Sequence, residues 1–83
     1  MSEAQKKIES LEQRMTEIGD TRTNVEGLVE KTARIQADLS SEGFDEYAGK
    51  LGEAFTSLTM TAEVLRGLHH DMEIERNRIR NEA

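Results

Sequence analysis

The feature that most constrains the fold of this chain is one turn-favouring segment, residues 39–47, between two long segments of helical periodicity. Ser40, Ser41 and Gly43 lie there and lower the helix propensity, and glycine adopts backbone conformations that other residues avoid. Asp45 and Glu46 come next, where carboxylates oppose the positive end of a helix dipole. Two helices joined by so short a connection lie antiparallel. The sequence therefore predicts an all-α chain, folded as an antiparallel two-helix hairpin.

The predicted boundaries are a helix over about residues 2–40, a turn over about 41–43 and a second helix over about 44–81. Together they form one domain, 1–83, which is too small for a deep core of its own. The predicted turn residues are Ser41, Gly43 and Phe44. Either Ser41 or Gly43 is expected to be the N-cap of the second helix, and the sequence does not choose between them.

The composition agrees with long helices and excludes several functions. Hydrophobic residues make up 35% and charged residues 34%, with no Pro and no Cys, so disulfides and thiolate metal sites are excluded. A formal net charge of −6 argues against a nucleic-acid partner. We find no apolar run of membrane-spanning length and no signal-peptide core at the N-terminus. We expect no membrane insertion, a chain that is cytoplasmic as synthesised, and any secretion to proceed without a cleaved signal peptide.

The first helix carries one apolar row with alternating spacings of three and four residues. Arg22 and Gln36 interrupt this row, and Leu28 and Ile35 lie one step to its side. Residues 19–24 contain no apolar member, but the apolar phase continues across them, which favours one continuous helix. The row consists of Ala4, Ile8, Leu11, Met15, Ile18, Val25, Val29, Thr32 and Leu39.

The second helix is more regular and its apolar face is wider. Its predicted seam toward the first helix is Phe44, Tyr47, Leu51, Ala54, Leu58, Thr61, Leu65, Leu68, Met72, Glu75 and Ile79. A flanking row runs beside this seam: Ala48, Phe55, Ala62 and His69. Of the two polar seam residues, Glu75 is expected to pair with Lys6 or Lys7, because an antiparallel register brings these residues near one another. Polar groups in such seams usually specify register or partner.

The width of this face predicts a partner. A hairpin needs only one stripe from each helix, and leaving further apolar side chains in water forgoes several kcal/mol at about 25 cal/mol per Å². We expect two hairpins, like or unlike, to form a four-helix bundle; the alternative is a monomer with ordinary exposed apolar residues. The predicted partner interface is Leu28, Ile35, Tyr47, Leu51, Phe55, Leu58, Ala62, Leu65, Leu68 and Met72.

Candidate chemistry is sparse. Adjacent His69 and His70 point about 100° apart on a helix and cannot chelate one metal from one face, and His69 with Glu73 supplies only two of the three or four ligands that a zinc site needs. There is no Cys nucleophile, no phosphate-binding loop and no Ser paired with a His. We expect no metal, no cofactor and no enzymatic activity.

The centre of the chain resembles a known family. Residues 41–48 read Ser-Glu-Gly-Phe-Asp-Glu-Tyr-Ala, and Gly43, Tyr47 and Phe55 match the spacing of the turn glycine and following aromatics in the Trp-x-Gly (WXG) helical hairpins of type VII secretion. The chain has no Trp, so Leu39 or Phe44 stands in its place. The export signal of the family, a Tyr three residues before Asp or Glu near the C-terminus, is also absent. The resemblance therefore implies a Trp-lacking small partner that pairs with itself or with a larger secreted effector.

Two other functions compete with this interpretation. The first is a cytoplasmic helical adaptor or chaperone, or a phage-encoded inhibitor, that masks a helix of its partner. The second is a polymerising subunit similar to those of type III secretion needles, which the lack of a Pro-containing turn disfavours.

Overall fold

The computed structural model describes residues 2–82, so residues 1 and 83 of the predicted domain lie outside the described part. Helix α1 runs over Glu3–Ser41 and helix α2 over Asp45–Glu82. The two helices pack against each other along their length as an antiparallel pair. The predicted all-α helical hairpin is confirmed.

The start of α1 is a capping box, which the sequence Ser-x-x-Gln favours. The hydroxyl of Ser2 accepts a hydrogen bond from the Gln5 backbone N–H at 3.2 Å, and the Gln5 side chain accepts one from the Ser2 N–H at 3.3 Å. The helix then continues without a break through residues 19–24. In that segment the hydroxyls of Thr21 and Thr23 donate to carbonyls one turn earlier, a local bond that threonine forms readily inside helices.

Gly43 ends α1, which corrects its predicted role. Its φ is +88°; its N–H donates to the carbonyl of Ser40 at 3.2 Å, while the N–H of Phe44 donates to the carbonyl of Leu39 at 2.9 Å. These two bonds define a Schellman motif with glycine in the left-handed position. Ser41, the other candidate N-cap, is the last residue of α1. Neither residue caps α2: the carbonyl of Phe44 accepts the first bond of that helix, from Ala48 at 3.0 Å.

The hairpin is long and thin, with Cα dimensions of 61 × 14 × 12 Å. The side chains of α1 that are turned toward α2 follow the predicted row, including its two polar members, and Met15 is the most buried of them. Facing residues include Val29 with Ala62, Met15 with His69, and Leu11 with Ile79. We call this row, together with its counterpart on α2, the seam.

The α2 half of the seam differs from the predicted one. Residues 51, 58, 65, 72 and 79 belong to both the predicted and the observed seam. The remaining residues of the observed α2 seam come from the row that was predicted to flank it. Ala48 is buried and Phe55 half-buried, whereas Phe44, Tyr47, Thr61 and Leu68 are exposed. Helix α2 is thus rotated about its axis relative to the prediction. The observed α2 seam is Ala48, Leu51, Phe55, Leu58, Ala62, Leu65, His69, Met72, Arg76 and Ile79.

Both polar interruptions of the α1 row find a place in the seam. Arg22 is half-buried and its guanidinium reaches the edge of the seam, where its Nε lies 2.7 Å from a Glu26 carboxylate oxygen. Long cationic side chains commonly bury the stem in this way and keep the charged head in water. Gln36 lies against Gly52: a Cβ at residue 52 would stand only 2.8 Å from the Gln36 side-chain nitrogen. The absent side chain at residue 52 therefore makes room for a polar group between the helices.

Candidate protein interaction surface

The seam divides the hairpin into two long sides, which helix geometry defines. Leu28 precedes seam residue Val29, and Leu68 precedes seam residue His69. Each residue turns the helix by about 100°, and the two helices run in opposite directions. The residue directly before Val29 on α1 and the residue directly before His69 on α2 therefore lie on the same side of the hairpin. Lys7 and Glu75 occupy equivalent positions and line one hollow with Leu11 and Ile79.

One side is apolar over most of its length, and we call it the apolar side. Its side chains stand in water: Leu28 is 50% exposed, Tyr47 59% and Leu68 43%. Thr61 lies among them, but its hydroxyl donates to the Ser57 carbonyl of its own helix at 2.9 Å. From residue 47 to residue 68 the strip is about 32 Å long at 1.5 Å per residue. The members of the apolar side are Leu28 and Ile35 of α1, and Tyr47, Ala54, Val64 and Leu68 of α2.

The turn extends the apolar side. Phe44 is exposed, and its ring centroid lies 6.2 Å from that of Tyr47 with the two planes tilted by 33°. An aromatic pair at this separation is in the favourable range for ring contact. Two aromatic rings therefore stand together in solvent at the tip of the hairpin. This is unusual in so polar a chain, which contains only three aromatic residues.

The opposite side, the polar side, is charged. Arg80 of α2 contacts Glu12 of α1 across it, with 3.0 Å between guanidinium nitrogen and carboxylate oxygen. Arg66 pairs with Glu63 at 2.6 Å on its own helix. Arg66 and Glu63 line an open groove whose walls also include Glu26 and Thr59. All these groups are solvent-exposed, so each pair contributes little to stability. The members of the polar side are Glu12 and Glu26 of α1, and Thr59, Arg66, Glu73 and Arg80 of α2.

The apolar side becomes charged toward the open end of the hairpin. Arg78 donates hydrogen bonds to Glu75, and another to Glu82 at 2.8 Å. This bonding, aided by the charge of Lys7 and opposed by partial desolvation, holds the pKa of Glu75 below its usual value, and the two carboxylates raise the pKa of Arg78. The predicted direct partner of Glu75, Lys6 or Lys7, is wrong: the bonded cation is Arg78, and Lys7 acts only through its charge.

The predicted interface residues separate into two groups. Leu28, Ile35, Tyr47 and Leu68 lie on the apolar side. The others are half-buried in the seam, where they pack between α1 and α2: Leu51, Phe55, Leu58, Ala62, Leu65 and Met72. Their role as contacts to a partner stays a prediction, because a four-helix bundle uses seam residues as well as one flank. Val64, which directly precedes seam residue Leu65, was not among the predicted interface residues.

The imidazoles do not assemble a site. His69 is half-buried in the seam and lines a shallow hollow with Met15, Glu73 and Arg76, while His70 is exposed. Within residues 2–82, no three His, Asp or Glu side chains come close enough together to hold a metal ion. In the same part of the chain, neither helix combines the length and apolar character needed to cross a membrane.

The accessible surface is large for the mass of the chain. The hairpin exposes 6012 Å², whereas a compact monomer of 9.4 kDa exposes about 5,000 Å² by the usual scaling of surface with mass. Only Met15 and Ala48 are buried among the apolar residues that the structure describes. The seam alone therefore leaves about 1,000 Å² more surface in water than a globular chain of this size.

These features define a thin helical hairpin with one apolar and one charged side. Comparison of the chain with protein-family models, with curated protein sequences and with solved structures found no match.

Proposed function

We propose that this chain is a non-enzymatic protein–protein interaction module that pairs through its apolar side with another helical hairpin, belonging either to a second copy or to a larger secreted effector. The observation that supports this proposal is the one-sided distribution of exposed apolar side chains. Leu28, Tyr47 and Leu68 are about half exposed, lie on one side, and contribute nothing to the seam. Contiguous exposed apolar surface of this kind commonly marks an interaction site.

The energetic reason is the small size of the seam. A chain of this length buries a limited fraction of its surface and is correspondingly marginal. Covering the apolar side recovers about 25 cal/mol for each Å² of apolar surface that leaves water. Helical hairpins reach this arrangement most directly as four-helix bundles, in which each helix uses the seam and one flank.

Type VII secretion is the proposed setting, because the central segment resembles the Trp-x-Gly hairpins. Gly43 closes the first helix, Tyr47 stands on the apolar side one turn later, and Phe55 enters the seam. A turn glycine followed by aromatics at these spacings is the part of the family pattern that the chain retains. We propose that the chain is made in the cytoplasm and leaves the cell together with its partner.

The partner proposal is tested by affinity capture of the full chain from its native host, using two matched aspartate variants. Leu68→Asp places a charge on the apolar side, and Thr59→Asp places one on the polar side. We expect Leu68→Asp to lose the captured partner hairpin and Thr59→Asp to retain it, because an unpaired charge in an apolar interface costs several kcal/mol. Circular dichroism serves as the control that both variants keep the helical content of the wild type.

Capture that is equal in both variants would contradict the use of the apolar side. The setting is tested separately, by measuring the chain in the culture medium of strains with and without a type VII membrane ATPase. ATPase-dependent appearance in the medium is the expected result. A chain that stays in the cells, bound to a non-secreted protein, would instead identify the adaptor or chaperone alternative.

A further inference from the structure

The middle of α1 is built from residues that form helices poorly. Residues 19–24 read Gly-Asp-Thr-Arg-Thr-Asn, and all of them except the arginine rank low in helix propensity. Gly27 follows three residues later, and Val25 is the only apolar side chain between them. We call residues 19–27 of α1 the mid-helix segment. Its helix is unbroken, so its stability has to come from packing against α2 more than from its own residues.

The seam provides little packing at this level. Arg22 occupies a seam position, but its charged head lies at the edge of the seam, 2.7 Å from a carboxylate oxygen of Glu26. Because both charged groups stand at the surface, this pair contributes little to stability. Open hollows lie on both sides of Arg22, one lined by Val29 and Ala62 and the other by His69. The seam is therefore least filled where α1 most needs it.

The mid-helix segment also has free space around its backbone. A Cβ added at Gly19 or Gly27 would meet no atom within 4 Å, and the same holds for Gly67, which lies at the same level on α2. The hydroxyls of Thr21 and Thr23 donate to carbonyls one turn earlier at 2.8 and 3.1 Å. Bonds of this kind commonly bend a helix. At this level the hairpin has room to bend.

The two ends of the hairpin are held more firmly. At the open end Met15 is only 6% exposed, and the Arg80–Glu12 pair joins the two helices at 3.0 Å. Toward the turn Ala48 is also 6% exposed, and the ring of Phe55 is half-buried in the seam. The mid-helix segment thus lies between two better-packed parts of the same hairpin.

We propose that the mid-helix segment is a hinge, which opens and bends locally while the open end and the turn end of the hairpin stay docked. Segments with few buried apolar contacts open at the lowest free energy. The hairpin is 61 Å long and the hinge lies at the centre of α1, so its motion changes the angle between the two ends. The apolar side can then follow a surface that is not straight.

The hinge is tested by amide hydrogen exchange of the full chain, followed residue by residue with nuclear magnetic resonance. We expect the amides of residues 22–27 to exchange about tenfold faster than those of residues 9–15 and 29–36, after correction for intrinsic rates. A minimum of protection inside a helix distinguishes a hinge from fraying. Fraying from the open end gives protection that rises steadily toward the turn.

Residues 49–61 of α2 separate the effect of packing from that of composition. They contain two glycines and three threonines, so their helix propensity is similarly poor. Their seam positions, however, are filled by Leu51, Phe55 and Leu58. We expect their amides to exchange no faster than those of residues 29–36. Exchange as fast as that of the mid-helix segment would mean that helix propensity alone sets the rates.

Two matched glycine variants locate the hinge. Gly27→Ala and Gly49→Ala each raise helix propensity and add a Cβ that meets no atom within 4 Å. Gly27→Ala is expected to slow exchange of residues 22–27 about fourfold, whereas Gly49→Ala should leave it unchanged. Arg22→Leu fills the seam with an apolar side chain and is expected to slow the same amides about tenfold.

Three outcomes overturn the inference: protection without a minimum at residues 22–27, equal exchange in residues 49–61, or equal effects of Gly27→Ala and Gly49→Ala on residues 22–27. The measurement needs no partner. A chain whose apolar side captures nothing can still show the hinge, and a chain without the hinge can still capture a partner, so the proposed function and this inference fail separately.

Discussion

The two long sides of the hairpin flank the same seam and have equal length, yet they are built from opposite chemistry. The polar side bears the ion pairs Arg80–Glu12 and Arg66–Glu63, and its groove is open to water. The apolar side exposes Leu28, Tyr47 and Leu68. Because the seam is complete without either side, this difference is not needed to hold the hairpin together. We interpret the polar side as the one that faces solvent, and it is the apolar side that we propose binds a partner.

The first prediction separates the seam from the apolar side and has the largest expected effect. Phe55→Ala removes a half-buried ring from the seam and should lower the free energy of unfolding by about 2 kcal/mol, somewhat less than the 3–5 kcal/mol typical of fully buried rings. Leu68→Ala, on the exposed apolar side, should cost less than about 1 kcal/mol. Urea unfolding at protein concentrations low enough to keep the hairpin monomeric measures both.

Met60→Ala on the outer face of α2 is the control for this pair. Met60 is 64% exposed, and its replacement is expected to stay within about 0.5 kcal/mol of the wild type. In the monomer, Leu68→Ala could instead lower the free energy of unfolding as much as Phe55→Ala does. The apolar side would then stabilise the hairpin itself, and the distinction between seam and apolar side would be wrong.

The second prediction uses two glycines that differ in backbone conformation alone. A Cβ added at either Gly43 or Gly49 meets no atom within 4 Å, but Gly43 has a φ of +88°. Gly43→Ala should therefore destabilise by about 1 kcal/mol or more, since L-residues avoid this region. Gly49→Ala, in regular helix, should stabilise by about 0.5–1 kcal/mol. Thermal unfolding followed by circular dichroism measures the two shifts, which are expected to have opposite signs.

Gly49 also sharpens the comparison of the two sides. It lies beyond the polar side, at the outer edge of α2, so its replacement should leave assembly unchanged in sedimentation. Weaker assembly of Gly49→Ala, despite higher helix stability, would place a partner on the side that we assign to solvent.

The α1 half of the seam was predictable from sequence and the α2 half was not, for a physical reason. In α1 only one apolar row is available. Arg22 and Gln36 interrupt it without shifting it, because the aliphatic stem of Arg22 and the amide of Gln36 fit into the seam. In α2 two rows share Leu51 and Leu58, and each offers one aromatic ring to the inside. Periodicity cannot rank them. The choice depends on the geometry of the Gly43 cap and on the fit of Gln36 against Gly52. The second of these joins residues that are distant in sequence.

The interaction surface was predictable in part for the same reason. A face wider than one stripe indicated surplus apolar residues, and Leu28 and Ile35 fall on the apolar side. Which α2 residues join them follows from the rotation of α2, so Phe55 and Ala62 entered the seam while Tyr47 and Leu68 stayed exposed. The pattern of a single chain carries no information on the partner's sequence, and the turn glycine's role as a helix C-cap needed the hydrogen bonds.

The smallest expected effect concerns the charged end of the apolar side and its response to acid. Hydrogen bonds from Arg78, with the charges of Arg78 and Lys7, lower the pKa of Glu75 below the ordinary value of 4.5. A carboxylate with a lowered pKa in the folded state contributes stability that is present above its unfolded pKa and is lost as pH falls through the folded pKa. Stability should therefore decrease below about pH 4.5 in part through this group.

Glu75→Gln removes the titrating group and should reduce this loss, at the cost of slightly lower stability at neutral pH. Arg78→Gln removes the principal cause of the shift and should reduce the acid loss as well, although Glu75 remains. Because Glu75 acts through its contact with Arg78, whereas Arg78 also bonds Glu82, the double variant should lose little more than Arg78→Gln alone at pH 7. The measurement is thermal unfolding at pH 7, 5 and 3.5. Fully additive losses at pH 7 would mean that the Glu75–Arg78 contact contributes nothing, and the charged end would then be, like the polar side, only a solvated surface.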